Sequence, residues 1–183
     1  MKNALILLDI QQEYTTPGRA FYLNGIETSL NQCKKLLQCA RENQWEIVHM
    51  QHSNGENSER FNPNSQFYKF AQGFEPIANN YEHHFIKKNY SCYSSLDFSD
   101  YMDKMIREGV VIYLAGYNSV MCCLSTLETA ILKNHPMNFI ADASLAKKID
   151  HHTEAEMHKI MCSIYDAKSL ATITDTDTVI RSD

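Results

Sequence analysis

"NALILLDI", residues 3 to 10, is the stretch from which the rest of the chain is read. Its apolar residues run on without the alternation of a half-solvated strand, and they stop at a carboxylate. That is the pattern of a strand buried on both faces of a parallel sheet. Such a strand needs helices above and below it. "TSLNQCKKLLQCARENQ" (28 to 44) supplies one, with Leu30, Cys33, Leu36, Leu37 and Ala40 at helical spacing and Thr28 or Ser29 available as a cap. "EIVHMQH" (46 to 52) and "HHFIKK" (83 to 88) then read as strands, "SDYMDKMIREG" (99 to 109) as a helix and "VVIYLAG" (110 to 116) as a strand. "MCCLSTLETAILKN" (121 to 134) is a predicted helix, "MNFIAD" (137 to 142) a strand, "TEAEMHKIMCSIYDA" (153 to 167) a helix, and "LATITDTDTVI" (170 to 180) a short closing strand. The alternation predicts a three-layer α/β/α fold with a mostly parallel, Rossmann-like central sheet, and one domain over residues 1–183.

One long excursion interrupts this rhythm. Residues 53 to 82 are rich in Asn, Ser, Gly and Pro yet carry Phe61, Phe67, Tyr68, Phe70 and Phe74. An aromatic-bearing loop of that length inside a compact domain is expected to line a pocket or an interface.

Composition narrows the function. A formal net charge of −5 and no run of Lys or Arg leave no electrostatic footprint for nucleic acid or anionic lipid, and no apolar run is long enough to span a membrane. "ALILL" (4 to 8) is too short for a secretory signal core, and the six cysteines lack small-scaffold spacing. The expectation is a reduced, cytoplasmic protein whose partner is a small molecule.

In open parallel sheets, ligands bind beyond the carboxyl ends of the strands. Asp9 ends the first strand, Gln51 and His52 the second, and Lys87 and Lys88 the third, while the glycine turn before Cys122 follows the fourth. One rim thus offers a carboxylate, an amine and a thiol. A free thiol is mostly protonated at neutral pH, so as a nucleophile Cys122 needs a base, a cation or a helix start beside it. Asp9, Lys87 and the helix beginning around Val120 are the candidates.

These residues resemble those of a known family, the isochorismatase-like cysteine hydrolases. "LLDIQQEY" is similar to the family's "DxQxxF" element, with Asp9, Gln11 and Tyr14 in register. "KKNYSCYSSLDF" resembles its "KxxYSAF" element, with Lys87 rather than Lys88 at the lysine position, and "AGYNSVMCC" resembles "GxxTxxCV", with Cys122 at the nucleophile position and Cys123 at the usual valine. Ser119, Asn118, Ser95 and Leu96 depart from the family's usual residues. The resemblance implies a catalytic triad of Asp9, Lys87 and Cys122 and an oxyanion hole from the backbone N–H groups of Asn118 and Cys122, with a cis peptide between Tyr117 and Asn118. It also implies a homo-oligomer. Gln11, Tyr14, Gln51, His52, Tyr93 and Tyr117 are the substrate-binding candidates, with a scaffolding role as the other reading of Gln11, Gln51 and His52.

Each residue also has a plain structural reading. A Cys-Cys pair entering a helix, taken alone, is packing; Asp9 alone is a turn carboxylate and Lys87 alone a solvated strand end. Their company is what favours chemistry. Cys33, Cys39, Cys92, Cys123 and Cys162 read as packing residues. Three-apart His49 and His52 face opposite sides of a strand, and "QHSNGEN" lacks the Asp-x-His pattern of nicotinamidases, so no metal or other cofactor is expected. The leading reading is a cysteine amidohydrolase acting on a small amide, carbamoyl or ureido compound. The alternatives are vinyl-ether hydrolysis of isochorismate, which does not need the cysteine, and a non-catalytic binding protein on the same fold.

Overall fold

The computed structural model describes residues 2–182. Six strands form one sheet in the order β3-β2-β1-β4-β5-β6, and every pairing is parallel. They are β1 (Asn3–Leu8), β2 (Glu46–His52), β3 (Glu82–Lys87), β4 (Val111–Tyr117), β5 (Asn138–Leu145) and β6 (Thr172–Thr174). The helices are α1 (Gln12–Thr15), α2 (Ile26–Glu42), α3 (Leu96–Arg107), α4 (Leu124–Leu132), α5 (Glu154–Ala167) and α6 (Thr176–Arg181). No described helix is long and apolar enough to cross a membrane.

The continuous apolar run of β1 has a direct structural cause. Ala4, Ile6 and Leu8 point into a core shared with Phe98, Met102 and Met105 of α3, Leu127 and Ala130 of α4, and Met161 and Tyr165 of α5. Leu5 and Leu7 point the other way, into a core with Cys33, Leu36, Leu37 and Ala40 of α2 and Val179 of α6. Alternate residues of one strand therefore feed two apolar layers, and no position is left for a polar side chain. The chain order reverses between β1 and β4, which places the crevice of the sheet between their carboxyl ends.

Several boundaries differ from the sequence reading. The first long helix starts at Ile26 after Gly25 in the left-handed conformation, so neither Thr28 nor Ser29 caps it; the Ser29 hydroxyl instead donates to the Ile26 carbonyl at 3.0 Å. The segment 170 to 180 is a strand only over Thr172–Thr174. Asp175 accepts a hydrogen bond from the Thr178 N–H and starts α6, converting the second half to helix. The helix expected from residue 121 begins with a π turn over Ser119–Cys123 before regular α-helix sets in at Leu124.

The excursion between β2 and β3 is sewn onto the loop after β1. The Gln12 N–H donates to the Lys69 carbonyl, and the Ala71 N–H to that of Ile10. Arg19 pairs with the buried Glu13 at 2.9 Å, donates to the Glu59 carbonyl and lies 4.2 Å over the Phe67 ring. Phe61 and Phe74 are buried in the α2-side core.

Candidate active site

Three strand ends and one turn converge on the β1/β4 crevice. The last regular residue of β1 is Leu8, and Asp9 follows in the left-handed region at φ 54°, fully buried, with its N–H donating to the Met50 carbonyl of β2. Parallel pairing sets His52 of β2 opposite Lys87 of β3. Lys87 is fully buried whereas Lys88, the next residue, is exposed, as strand alternation requires.

The Lys87 ammonium is the hub. Its Nζ lies 2.8 Å from Asp9 Oδ2, 3.3 Å from Cys122 Sγ, 3.2 Å from His52 Nδ1 and 3.2 Å from the Asn89 carbonyl. Neither Asp9 oxygen receives a well-aligned hydrogen bond, so the carboxylate faces the Cys122 thiol with lone pairs open. Burial works against the Lys87 charge, but Asp9 and then Cys122 more than offset it and hold its pKa above the ordinary lysine range. Burial, followed by the Asp9 charge, pushes the Cys122 thiol well above its ordinary value, and Lys87 only partly opposes this. At rest, then, sulfur keeps its proton beside a carboxylate able to take it.

Cys122 sits in the π turn, with Asn118 N-terminal to it. The peptide joining Tyr117 and Asn118 is cis, and the Asn118 carbonyl accepts from the N–H groups of Met121 and Cys123. Cys123 points away from the site and lies within the α3/α4/α5 core at the position read as packing. Ser119 anchors the turn from behind through a 2.7 Å hydrogen bond to His158 Nδ1, and the Tyr165 hydroxyl donates to the Ser119 carbonyl.

A cavity of about 170 Å³ opens onto Cys122, lined by Tyr14, Phe21, His52, Asn54, Arg60, Phe61, Tyr90 and Met121. Of the substrate-binding candidates, Tyr14 and His52 stand on this wall. The other four are placed behind it. Gln11 accepts from the His52 N–H at 2.9 Å and donates to the carbonyls of His52 and Tyr68, which uses both ends of its amide. Gln51 bonds the Tyr68 carbonyl and His84, Tyr93 bonds His135, and Tyr117 bonds Ser29 beneath α2. These four do not line this cavity, and for Gln11 and Gln51 the contacts match the scaffolding reading. Phe21, Asn54, Arg60, Tyr90 and Met121 line the cavity without having been singled out from the sequence; all but Met121 come from loops, where periodicity carries no signal.

His49 turns to the opposite face of β2 and binds Glu82 at 2.8 Å, apart from His52. Among the described residues no three His, Cys, Asp or Glu side chains gather as a metal site. Larger depressions of about 420 and 320 Å³ lie at the amino ends of the strands, around Met137 and Thr172 and around Asn3 and Trp45, across the sheet's length from the thiol.

Comparison with known proteins agrees with this architecture. The isochorismatase domain profile matches residues 3–178. No curated protein sequence matches the chain. The fold is similar to that of an isochorismatase from Pseudomonas putida KT2440, with TM-score 0.85 at 21% identity over 97% of this chain and 91% of that one. It is similar to an N-carbamoylsarcosine amidase from Thermoplasma acidophilum, with TM-score 0.74 at 18% identity over 97% of this chain and 98% of that one. A nicotinamidase/pyrazinamidase from Bacillus subtilis gives TM-score 0.79 at 16% identity over 96% of this chain and 100% of that one.

Proposed function

We propose that this chain, which belongs to the isochorismatase family, is a metal-independent cysteine amidohydrolase that cleaves a small amide, carbamoyl or ureido compound through a thioester on Cys122. The observation that carries this reading is the buried Lys87 ammonium standing between Asp9, at 2.8 Å, and Cys122 Sγ, at 3.3 Å, at the floor of the cavity.

Each residue type has a task in such a reaction. Cys122 Sγ attacks the amide carbon while its proton passes to Asp9, a transfer worth on the order of 10²–10⁴-fold in rate for a positioned base. Backbone N–H groups of the Asn118–Cys122 turn receive the developing oxyanion, and Lys87 keeps negative charge tolerable in the buried site. Asp9 returns the proton to the departing amine as the C–N bond breaks. Water, deprotonated by the same carboxylate, then cleaves the thioester and restores the thiol.

The cavity favours small substrates: about 170 Å³ corresponds to roughly six water molecules of liquid volume. Arg60 is the charged member of the wall; its guanidinium lies 5.6 Å from the Phe21 ring and pairs with no carboxylate among the described residues. A substrate with an anionic end complements it.

The test is turnover of a panel of small amides and ureides by the native protein and by Cys122→Ala, with mass spectrometry of the quenched native reaction. We expect a loss on the order of 10³-fold or more on the substitution, and an acyl mass on Cys122. Full amide turnover by Cys122→Ala would overturn the thioester route.

A further inference from the structure

Two side chains of α5 take hold of a single residue in the turn that carries Cys122. His158 Nδ1 lies 2.7 Å from Ser119 Oγ, and the Tyr165 hydroxyl donates to the Ser119 carbonyl. The two stand about two helical turns apart, on one face of α5. Ser119 itself is fully buried.

The proton positions in the first contact follow from the far side of the imidazole. His158 Nε2 lies 2.8 Å from the Ala141 carbonyl, which can only accept, so Nε2 carries the ring proton. Nδ1 of the neutral ring is then an acceptor, and the Ser119 hydroxyl donates to it. Burial lowers the His158 pKa and the Ala141 hydrogen bond opposes this only in part, so the ring is neutral at about pH 7. Cys162 Sγ, 3.5 Å from Nε2, is a neutral thiol, its pKa pushed up to about 11 by burial.

The anchor at Ala141 comes from an irregularity in the sheet. Pairing of β5 with β4 skips from Phe139 to Ser144, and Ala141 lies in the stretch between them. His158 ties this stretch and α5 to the turn after β4. Without that partner, a serine hydroxyl at a helix start bonds to nearby backbone groups and competes with the turn's own hydrogen bonds. Here those run from the Met121 and Cys123 N–H groups to the Asn118 carbonyl.

We infer that His158 is a positioning residue for the Asn118–Cys122 turn: acting through Ser119, it fixes the backbone N–H groups that receive an oxyanion. His158 does not line the cavity, so its effect reaches the chemistry through the backbone. The inference rests on the reading of this turn as the oxyanion site and is independent of which amide is cleaved.

The experiment compares two reactions of Cys122 in the native protein, His158→Leu and His158→Gln. Alkylation by iodoacetamide forms an S–C bond as iodide leaves and the thiol proton passes to solvent. No charge gathers on an oxygen, so its rate reads the thiol alone. Acetaldehyde instead takes the sulfur on its carbonyl carbon and the thiol proton on its oxygen, with no leaving group. The thiohemiacetal oxygen then stands where an amide's oxyanion would form. With isotopically labelled acetaldehyde, the NMR signal of the adduct, missing in Cys122→Ala, gives its dissociation constant.

Leucine offers neither contact, whereas the glutamine amide can accept from Ser119 and donate to Ala141. His158→Leu is expected to bind acetaldehyde about tenfold more weakly than native while Cys122 alkylates within about threefold of the native rate. His158→Gln is expected to stay within about threefold of native in both. Thermal melts show whether His158→Leu folds; if it does not, Ser119→Ala replaces it, removing the hydroxyl that His158 holds, with the same split expected.

The inference is wrong if His158→Leu binds the aldehyde as tightly as native, or if binding and alkylation fall together, as a general loosening of the fold would make them. It is also wrong if glutamine does no better than leucine, or if the native protein forms no adduct. Each of these leaves the amidohydrolase reading standing, because that reading is decided by acyl capture on Cys122 from an amide.

Discussion

A thiol with 3% exposure beside a carboxylate keeps its proton, so the proposed reaction requires Asp9 to remove that proton from Cys122 within the bond-forming step rather than beforehand. Charge at the mouth of the cavity is a separate matter. Arg60 is solvent-exposed and stands on a loop, so its contribution to binding an anionic substrate is modest and screened by salt. Arg60→Gln is expected to lower kcat/KM about threefold to tenfold for anionic amides and hardly at all for neutral ones of the same size, most clearly at low salt. Equal losses for both classes would remove Arg60 from substrate recognition. Asp9, Lys87 and Cys122 could be singled out as neighbours because Asp9 and Lys87 stand at strand ends and Cys122 in the turn that follows one, where the switch-point rule directs attention, and because three motifs share their order along the chain. Arg60 and Asn54 were not legible, since a loop residue's neighbours are set by a fold-back that no periodicity records. Gln11 was legible as a participant, but only the fold shows that both ends of its amide are spent on backbone.

Gly116 holds the crevice together at the level of the elements. It lies near the end of β4 with φ +120°, paired with Leu8 of β1, and a Cβ there would stand 2.2 Å from the Leu8 carbonyl oxygen and 2.8 Å from its nitrogen. The clash is with backbone, so no side chain can swing aside to relieve it. Gly116→Ala is expected to cost several kcal/mol, on the order of 3 or more, because β4 must part from β1 beneath the turn that holds Cys122. Gly109→Ala provides the contrast. Its φ of +70° is also strained for alanine, but nothing lies within 4 Å of the new Cβ, so the cost should stay near 1 kcal/mol. Urea unfolding of both variants measures the difference, and equal midpoints would refute the backbone-clash argument. The bounds of β1 to β4 were read within a residue or two from their apolar runs, while β5 runs three residues past its predicted end, to Leu145. The exceptions have local causes: the Asp175 cap turned the predicted closing strand into α6, and the π turn ahead of α4 carries no distinct hydrophobic period.

Across the whole molecule, the amino ends of the strands are fastened by Glu82. Arg41 of α2 reaches its two oxygens at 2.9 and 3.0 Å, His49 of β2 lies at 2.8 Å, and the Ile77 N–H at 3.1 Å, so one carboxylate ties a helix, two strands and the end of the long loop. Burial alone would raise its pKa, but Arg41 and the Ile77 and His49 hydrogen bonds more than offset this and bring it to about 2. A folded-state value below the unfolded one means that the stability is present above the unfolded pKa and fades as pH falls toward about 2. The amount is on the order of 3 kcal/mol. The buried His49 and His52 and the half-buried His158 act in the same direction at higher pH: their lowered values mean that the unfolded chain gains protons first as pH drops below about 6.5. Acid should therefore weaken the fold in two windows. Glu82→Gln is expected to be less stable than native by on the order of 3 kcal/mol at pH 7, with the gap narrowing between about pH 4.5 and pH 2 while the histidine window persists. Urea unfolding at pH 7, 5 and 3 tests this, and a gap as wide at pH 3 as at pH 7 would refute it. Because β3 runs from Glu82 at its amino end to Lys87 at its carboxyl end, the loss should appear in unfolding and leave turnover per folded molecule unchanged.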